Sequence, residues 1–570
     1  MRFRAVYILL AIVLFSLILR IWGINSGLPN IYHPDEERLV HHALAFGLGD
    51  LNPHYFNYPS FPMYFLFFEY GGYYLIGRLA GMFSGLADFQ NLFFSDPSSF
   101  YLIGRLTSVL LGTVTVILVY ILGRRAYGSK AGLWASFFFG ITWLHVAVSH
   151  YVTTDILLTM FISASYIFII DIFKTGRRRA YIWAGVWAGL GAASKYNAFT
   201  LTIPIVLAHW WGPVEAGGWL RRLFHKNLLI SAGGMAAAFF LASPFCILDF
   251  PKFWADFSGI AHHVRVGVYS TGGGRHWGEY LALFFRDPMY FAPARWNTLG
   301  LIYASAIIWV LARRGKKEWL LFSYSLIYFL MVGSWGVCNA RYLIPVFPTL
   351  AVLSGGMVAY GWEKWKERPV KRLALIGALL ALTILPLRNI ILTNLRLART
   401  DTRSRAREWI EGNIPAGTAV ALEWDNNDTV QLQETDQVIR EKIRDYKEGD
   451  LFTIHHPTEQ MTRIHRMRLE APRGKTYEII RIGAVDGLVL IPYLYDIDAL
   501  KKRGVEYIVV SSSVYRWFMA PQGREKYPVH ASFYDRLFEE YEPVIEFSSG
   551  ESPGPRILIY RIGTPKKHIY

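Results

Sequence analysis

Four places along this 570-residue chain set charged side chains at the edges of apolar sequence. "PDEERL" puts Asp35, Glu36 and Glu37 just after the first apolar run. "HYVTTDILLT" carries Asp155, "GLGAASKYNAF" carries Lys195, and "NARYLIPVFP" carries Arg341 followed by Tyr342. Each has an ordinary reading. The three acids suit a solvated loop, Asp155 or Thr154 a helix N-cap, Lys195 a snorkelling lysine, and the Arg-Tyr pair an interfacial anchor. Taken together they suit a reaction. A carboxylate orients or deprotonates a hydroxyl. A lysine point charge and an arginine fork hold a phosphate and stabilise charge growing on it. A divalent metal ion held by carboxylates can share that task. The set fits transfer of a sugar from a lipid phosphate to a hydroxyl acceptor, provided all four places lie on one side of a membrane, with apolar helices beside them to receive the lipid tail.

The elements that must position these residues follow from hydropathy and charge. The chain is 53% hydrophobic and 18% charged, with long apolar runs, which places it among polytopic membrane proteins. The net charge of +16 comes from arginines and lysines clustered in short loops, so it marks cytoplasmic loops rather than a nucleic-acid surface. Two cysteines, Cys246 and Cys338, exclude a disulfide scaffold and a cysteine-rich metal site and read as buried thiols. "MRFRAVYILLAIVLFSLILRIWG" reads as an uncleaved first span with its N-terminus in the cytoplasm.

Further apolar runs lie near 61–80, 100–123, 131–150, 156–173, 180–194, 197–212, 228–248, 298–312, 318–333, 342–361 and 373–392. "GRRAYGSK", "KTGRRR", "WLRRLFHK", "RRGKK" and "KWKERPVKR" are short, basic and therefore cytoplasmic. That parity holds only if 61–80, opened by Pro59 and Pro62 and interrupted by Glu69 and Tyr70, does not cross and is instead juxtamembrane or re-entrant. The expected architecture is a polytopic α-helical membrane domain over 1–392, with about eleven spans plus juxtamembrane helices, and a soluble extracytoplasmic α/β domain over 393–570. The β-branched runs "VEYIVVSS", "RILIYRI" and "GLVLIPYL" mark strands of that second domain. All four charged places then face outward, at the surface of a cell membrane.

In order, "PDEERL", "NYPSFPMYFL", "GRLTSVLLGTVTVILVYILGRRAYG", "TTD", "GLGAASKYNAF" and "ARYLIPVFP" resemble the GT-C membrane glycosyltransferases. The resemblance is to the dolichyl-phosphate-mannose protein mannosyltransferase type, with the bacterial aminoarabinose transferases, and covers nearly the whole chain. It implies a GT-C fold and an inverting single displacement at the anomeric carbon. The donor would be a polyprenyl-phosphate-linked sugar and the acceptor a protein, a glycan or a lipid. By the same resemblance Asp35 would activate the acceptor, Glu36 would assist it with metal or acceptor, and Asp155 would be the second-loop acid. Arg38, Lys195, Arg341 and Tyr342 would lie at the donor phosphate. No nucleotide is required, and the sequence shows no nucleotide motif.

Two departures matter. Aminoarabinose transferases carry acid-lysine-proline where this chain has Asn57, Tyr58 and Pro59, which argues against that sugar and removes an acidic metal ligand. His54, His262 and His263 are the replacement ligands this suggests, although solvated loop histidines are the ordinary reading. "STGGGRHWGEY", at 270–280, is glycine-rich and suggests a lid. The competing readings are a transporter, disfavoured because the charges sit at span ends and no repeat is visible, and a non-catalytic envelope-assembly protein of the same fold.

Overall fold

The computed structural model describes residues 2–214, 218–267, 275–289, 292–423, 427–448, 458–486, 489–491, 494–548, 550 and 552–562. Residues 270–274, the glycine-rich start of the "STGGGRHWGEY" segment, lie outside them.

The first half is helical. α1 (Arg2–Ile21) leads to a layer of α2 (Pro34–Ala45), α3 (Phe61–Leu79) and α4 (Leu86–Ser95), in which α3 is the segment expected from the sequence to be juxtamembrane. α5 (Ser98–Tyr127), α6 (Ser129–Gly140), α7 (Trp143–Val148), α8 (Thr154–Thr175), α9 (Arg178–Ser194) and α10 (Thr202–Trp211) follow. Then come α11 (Trp219–Leu223), α12 (Lys226–Ala242), α13 (Phe245–Leu248), α14 (Phe250–Val266), α15 (Trp277–Leu283) and the ribbon β1 (Arg286–Met289) with β2 (Ala292–Trp296). α16 (Leu299–Arg313), α17 (Lys316–Gly333), α18 (Phe347–Lys364) and α19 (Pro369–Leu397) complete the bundle.

Every apolar run expected from the sequence is helical. Among the described residues five helical runs are long and apolar enough to cross a membrane by length and composition: Arg4–Ile21, Ser98–Tyr127, Thr154–Thr175, Ala340–Lys364 and Pro369–Asn413. The 131–150 run is broken at Ile141 and Thr142 into α6 and α7. The expected domain boundary at 393 falls inside α19, which continues to Leu397.

Small residues set the helix spacing. A Cβ on Gly185 or Gly189 of α9 would come within 2.1 Å of the Ser231 carbonyl or 2.3 Å of the Met235 carbonyl of α12. That i, i+4 glycine pair lets two backbones touch, as in close membrane-helix pairs.

From Thr402 short helices alternate with strands. α20 (Thr402–Asn413), β3 (Ala419–Glu423), β4 (Gln433–Glu434), α21 (Asp436–Glu448), α22 (Thr458–Glu470) and β5 (Thr476–Ile482) come first. The ribbon β6 (Ala484–Asp486) with β7 (Val489–Ile491), α23 (Ile497–Lys502), β8 (Tyr507–Ser511), α24 (Ser512–Met519), α25 (Pro521–Lys526), α26 (Pro528–Glu540), β9 (Pro543–Phe547) and β10 (Ile557–Arg561) follow. Six strands form a mixed sheet in the order β4-β5-β3-β8-β10-β9, with β3 parallel to β5 and β8, and β10 antiparallel to β8 and β9. Alternation along the strands splits the core in two. Val420, Leu422, Val509 and Ile559 pack toward Ala406 and Ile410 of α20, while Ala421, Ile508, Val510 and Leu558 pack toward Phe518 and Tyr534.

This unit grips the chain just ahead of α2. Asn30 bonds Ser404 at 3.2 Å, the Ile31 amide donates to Gln431 at 3.0 Å, and the Arg403 guanidinium lies 3.7 Å from the Tyr32 ring centroid. Cys246 is buried, Cys338 is half-buried rather than buried as expected, and neither is in a disulfide.

Candidate active site

Asp35 sits in the first turn of α2. Pro34 opens the helix, where its missing amide costs nothing. His33 caps it, Nδ1 accepting from the Asp35 amide at 3.3 Å. An acid there also meets the positive end of the helix dipole. Its two oxygens accept from both terminal nitrogens of Arg341, Nη2 to Oδ1 at 3.3 Å, and Oδ1 accepts from the Tyr58 hydroxyl at 3.1 Å.

Asp155 occupies the first turn of α8; Thr153 is the cap residue, so neither Asp155 nor Thr154 is the cap considered from sequence. Asp155 is fully buried, and its Oδ1 accepts from Lys195 Nζ at 2.7 Å. Its Oδ2 lies 4.0 Å from Arg341 Nε, and neither atom has a hydrogen-bond partner among the described residues. Lys195 ends α9 in extended backbone and turns its ammonium over the Tyr342 ring, 4.8 Å from the centroid. Arg341 and Tyr342 sit on a 3-10 turn, Ala340–Val346, that leads into α18. Asp35, Arg341, Asp155 and Lys195 thus form one continuous chain of alternating charge, drawn from four distant segments.

That arrangement decides protonation. Burial alone would raise the Asp35 carboxyl, but Arg341, His33 and Lys195 outweigh it and hold the group well below the usual carboxylate range. Asp35 is therefore ionised at neutral pH and a weak base while Arg341 covers it. Tyr58 moves the other way: burial and the neighbouring Asp35 charge push its phenol well above 10, so it stays a donor. Tyr58 stands out in the sequence only as a departure, because a neutral hydroxyl leaves no charge signature.

Two expected site residues, Glu36 and Arg38, lie elsewhere. Glu36 does not share the site with Asp35, because successive helix side chains diverge by about 100°. It is fully buried and takes a two-pronged bond from Arg105 of α5, Nε to Oε1 and Nη2 to Oε2 at 2.8 Å each. Its Oε1 also accepts from the Val152 amide at 3.0 Å, and Arg105 Nη1 reaches the Ile24 and Ser26 carbonyls. Glu36 is a tether between the loop after α1, α5 and the loop before α8. Arg38 is exposed at the rim, within electrostatic reach of Asp35, Tyr55 and Tyr58.

The histidines do not make the expected metal set. His54 Nε2 bonds Asp50 at 2.7 Å, whereas His262 and His263 are on α14, His262 exposed. Among the described residues no three His, Cys, Asp or Glu groups converge to hold a metal ion. Asp35 and Asp155 already face two cations, so a divalent ion there would have to displace Arg341 or Lys195. The donor set does not fit a resident metal.

Residues 94–247, which include Asp155 and Lys195, match a family model described as dolichyl-phosphate-mannose-protein mannosyltransferase. The whole architecture is shared with solved membrane enzymes. The oligosaccharyltransferase AglB of Archaeoglobus fulgidus, solved with an inhibitory peptide and a dolichol-phosphate, aligns with a TM-score of 0.51 at 13% identity, over 97% of this chain and 74% of that one. ArnT of Cupriavidus metallidurans in its apo state aligns with a TM-score of 0.50 at 13% identity, over 97% of both chains. The chain shares the fold of these two proteins. No curated protein sequence matches it. At such low identity the GT-C likeness is one of fold, and the side-chain chemistry has to come from the cluster itself.

Proposed function

We propose that this GT-C protein transfers a hexose or pentose from a polyprenyl-phosphate donor to a hydroxyl of a protein, glycan or lipid. Transfer takes place on the extracytoplasmic side of a cell membrane. The chain crosses about eleven times, with the N-terminus in the cytoplasm and the α/β unit outside. The observation that carries the reading is the Asp35–Arg341–Asp155–Lys195 cluster: two buried carboxylates paired with two half-buried cations at the end of the bundle that bears α2. The match of residues 94–247 to a mannosyltransferase family model supports it, as does AglB, a fold relative solved with a dolichol-phosphate.

In this reading the resting cluster is a donor site with its own carboxylates as placeholders. A sugar phosphate brings its own anionic oxygens, and Arg341 and Lys195 turn to them. Releasing Asp35 from Arg341 raises its basicity where a base is needed. The acceptor hydroxyl attacks the anomeric carbon while Asp35 takes its proton. The bond from that carbon to the phosphate oxygen breaks with inversion, and polyprenyl phosphate leaves with the new negative charge against Arg341 and Lys195. Tyr58 keeps Asp35 oriented, and Asp155 holds Lys195 in place. No step is assigned to a metal.

The test is to incubate the purified protein with a panel of polyprenyl-phosphate sugars, with and without chelator, and to detect released polyprenyl phosphate by mass spectrometry. Release that disappears in Asp35→Asn supports transfer. Donor binding without release in the wild type, across the panel and with candidate acceptors present, overturns it.

A further inference from the structure

A partly open cavity lies on the other side of α2. It holds about 710 Å³ and is walled by the layer of α2, α3 and α4 on one side and the α/β unit on the other. Glu37, His41 and Leu44 face it, a stripe at helical spacing on the side of α2 away from Asp35, continued by Leu48 in the 3-10 turn that follows. The cavity is therefore separate from the charge cluster, with one helix between them.

Its two walls differ in chemistry. The helical wall is aromatic, with Phe67, Tyr70 and Tyr74 of α3, Phe89 and Phe93 of α4, and Tyr101 of α5. The opposite wall presents Arg407, Lys442, Arg468 and Arg481, which with Glu37 and Glu434 makes four cations against two carboxylates. Lys442 and Arg468 share Glu434 at 2.6 and 3.2 Å and Arg407 pairs with Glu411 at 2.7 Å, which leaves a small excess of positive charge on this wall. The neighbouring face of α3 exposes Phe68, Leu75, Ile76 and Leu79, the last at 90% exposure, an apolar strip suited to lipid. Two glycines keep the space open: a Cβ on Gly71 of α3 or on Gly47 would meet nothing within 4 Å.

We propose that this cavity binds an anionic membrane lipid, its acyl part against the aromatic wall and its phosphate against the cationic wall, pinning the α/β unit to the juxtamembrane helices. An apolar chain and an anionic head satisfy both walls at once, and the lipid strip of α3 gives it access from the bilayer. The site is independent of donor binding at Asp35.

The test uses the full-length protein in a neutral detergent. Native mass spectrometry and thermal unfolding follow titration with phosphatidylglycerol, with phosphatidylcholine and inorganic phosphate as parallel arms. The wild type binds phosphatidylglycerol and is stabilised by it, with little response to the other two. Gly71→Trp and, from a different segment, Gly47→Leu fill the space and weaken that binding by about tenfold or more, while their unfolding without lipid stays near wild type. Arg468→Gln, which leaves Glu434 paired with Lys442, lowers the preference for the anionic lipid. Equal binding of phosphatidylcholine, equal stabilisation by inorganic phosphate, or undiminished phosphatidylglycerol binding in both space-filling variants would each overturn the proposal.

Discussion

The Glu36–Arg105 pair gives the sharpest quantitative expectation. Glu36 and Arg105 side chains are 0% and 2% exposed, so each charge depends on the other. Removing one partner of a buried pair costs about 3–5 kcal/mol, because the survivor is left charged and desolvated. Glu36→Gln leaves Arg105 in that state, and Arg105→Leu leaves Glu36 in it. Glu36→Leu combined with Arg105→Leu removes both charges. What remains is the loss of partners at the Val152 amide and at the Ile24 and Ser26 carbonyls, roughly 1 kcal/mol each. The double variant should therefore lose about 3 kcal/mol, near either single loss and far from their sum. Thermal unfolding of the three variants in one detergent measures this. The same tether lies next to Asp35 and three residues before Asp155, so the surviving protein should also turn over more slowly, with kcat falling more than KM rises. Additive losses in the double variant would refute the buried-pair account. A Glu36→Gln protein as stable as wild type yet wholly inactive would return Glu36 to the chemistry.

Other expectations follow from the site and the sheet. Asp35→Asn should lower transfer roughly a hundred- to ten-thousand-fold while retaining donor binding, read by product formation alongside direct lipid-phosphate binding. Lys195→Met and Arg341→Gln should each weaken binding of polyprenyl phosphate, measured by native mass spectrometry. Because the folded-state Asp35 group lies well below its unfolded value near 4, its contribution to stability is complete above that value and is lost only as pH falls through the folded one. The stability gap between wild type and Asp35→Asn should thus be flat from pH 5 to 8 and narrow in stronger acid. His530 behaves oppositely: burial beside Phe518 and Tyr495 lowers it to about 4. Unfolded chains bind that proton near pH 6.5, so the α/β unit should lose on the order of 2 kcal/mol as pH falls from 6.5 toward 4, and His530→Phe should flatten that limb in unfolding curves.

The helical runs were legible because apolar stretches of that length have few alternatives. Asp35, Asp155, Lys195 and Arg341 were visible for a related reason: a charge next to apolar sequence needs a partner. Who partners whom was not visible. Asp35 and Glu36 are neighbours in sequence, but the helix sends one to Arg341 and the other to Arg105. His262 and His263 look like a ligand pair, yet adjacency on a helix does not bring a third donor. Strands β5 and β9 were missed because "TYEIIRI" and "PVIEF" mix charge into their alternation. The junction cavity left no trace, since its walls are supplied by segments more than 300 residues apart that only the fold brings together.

The central claim is that a lipid phosphate takes the place of the carboxylates in the resting cluster. A structure of the protein with a bound polyprenyl phosphate tests it most directly. The account predicts the phosphate between Lys195 and Arg341, with Arg341 withdrawn from Asp35 and the Asp35 carboxylate open to the space above the phosphate. A phosphate bound elsewhere, with the Asp35–Arg341 and Asp155–Lys195 pairs intact, would contradict it.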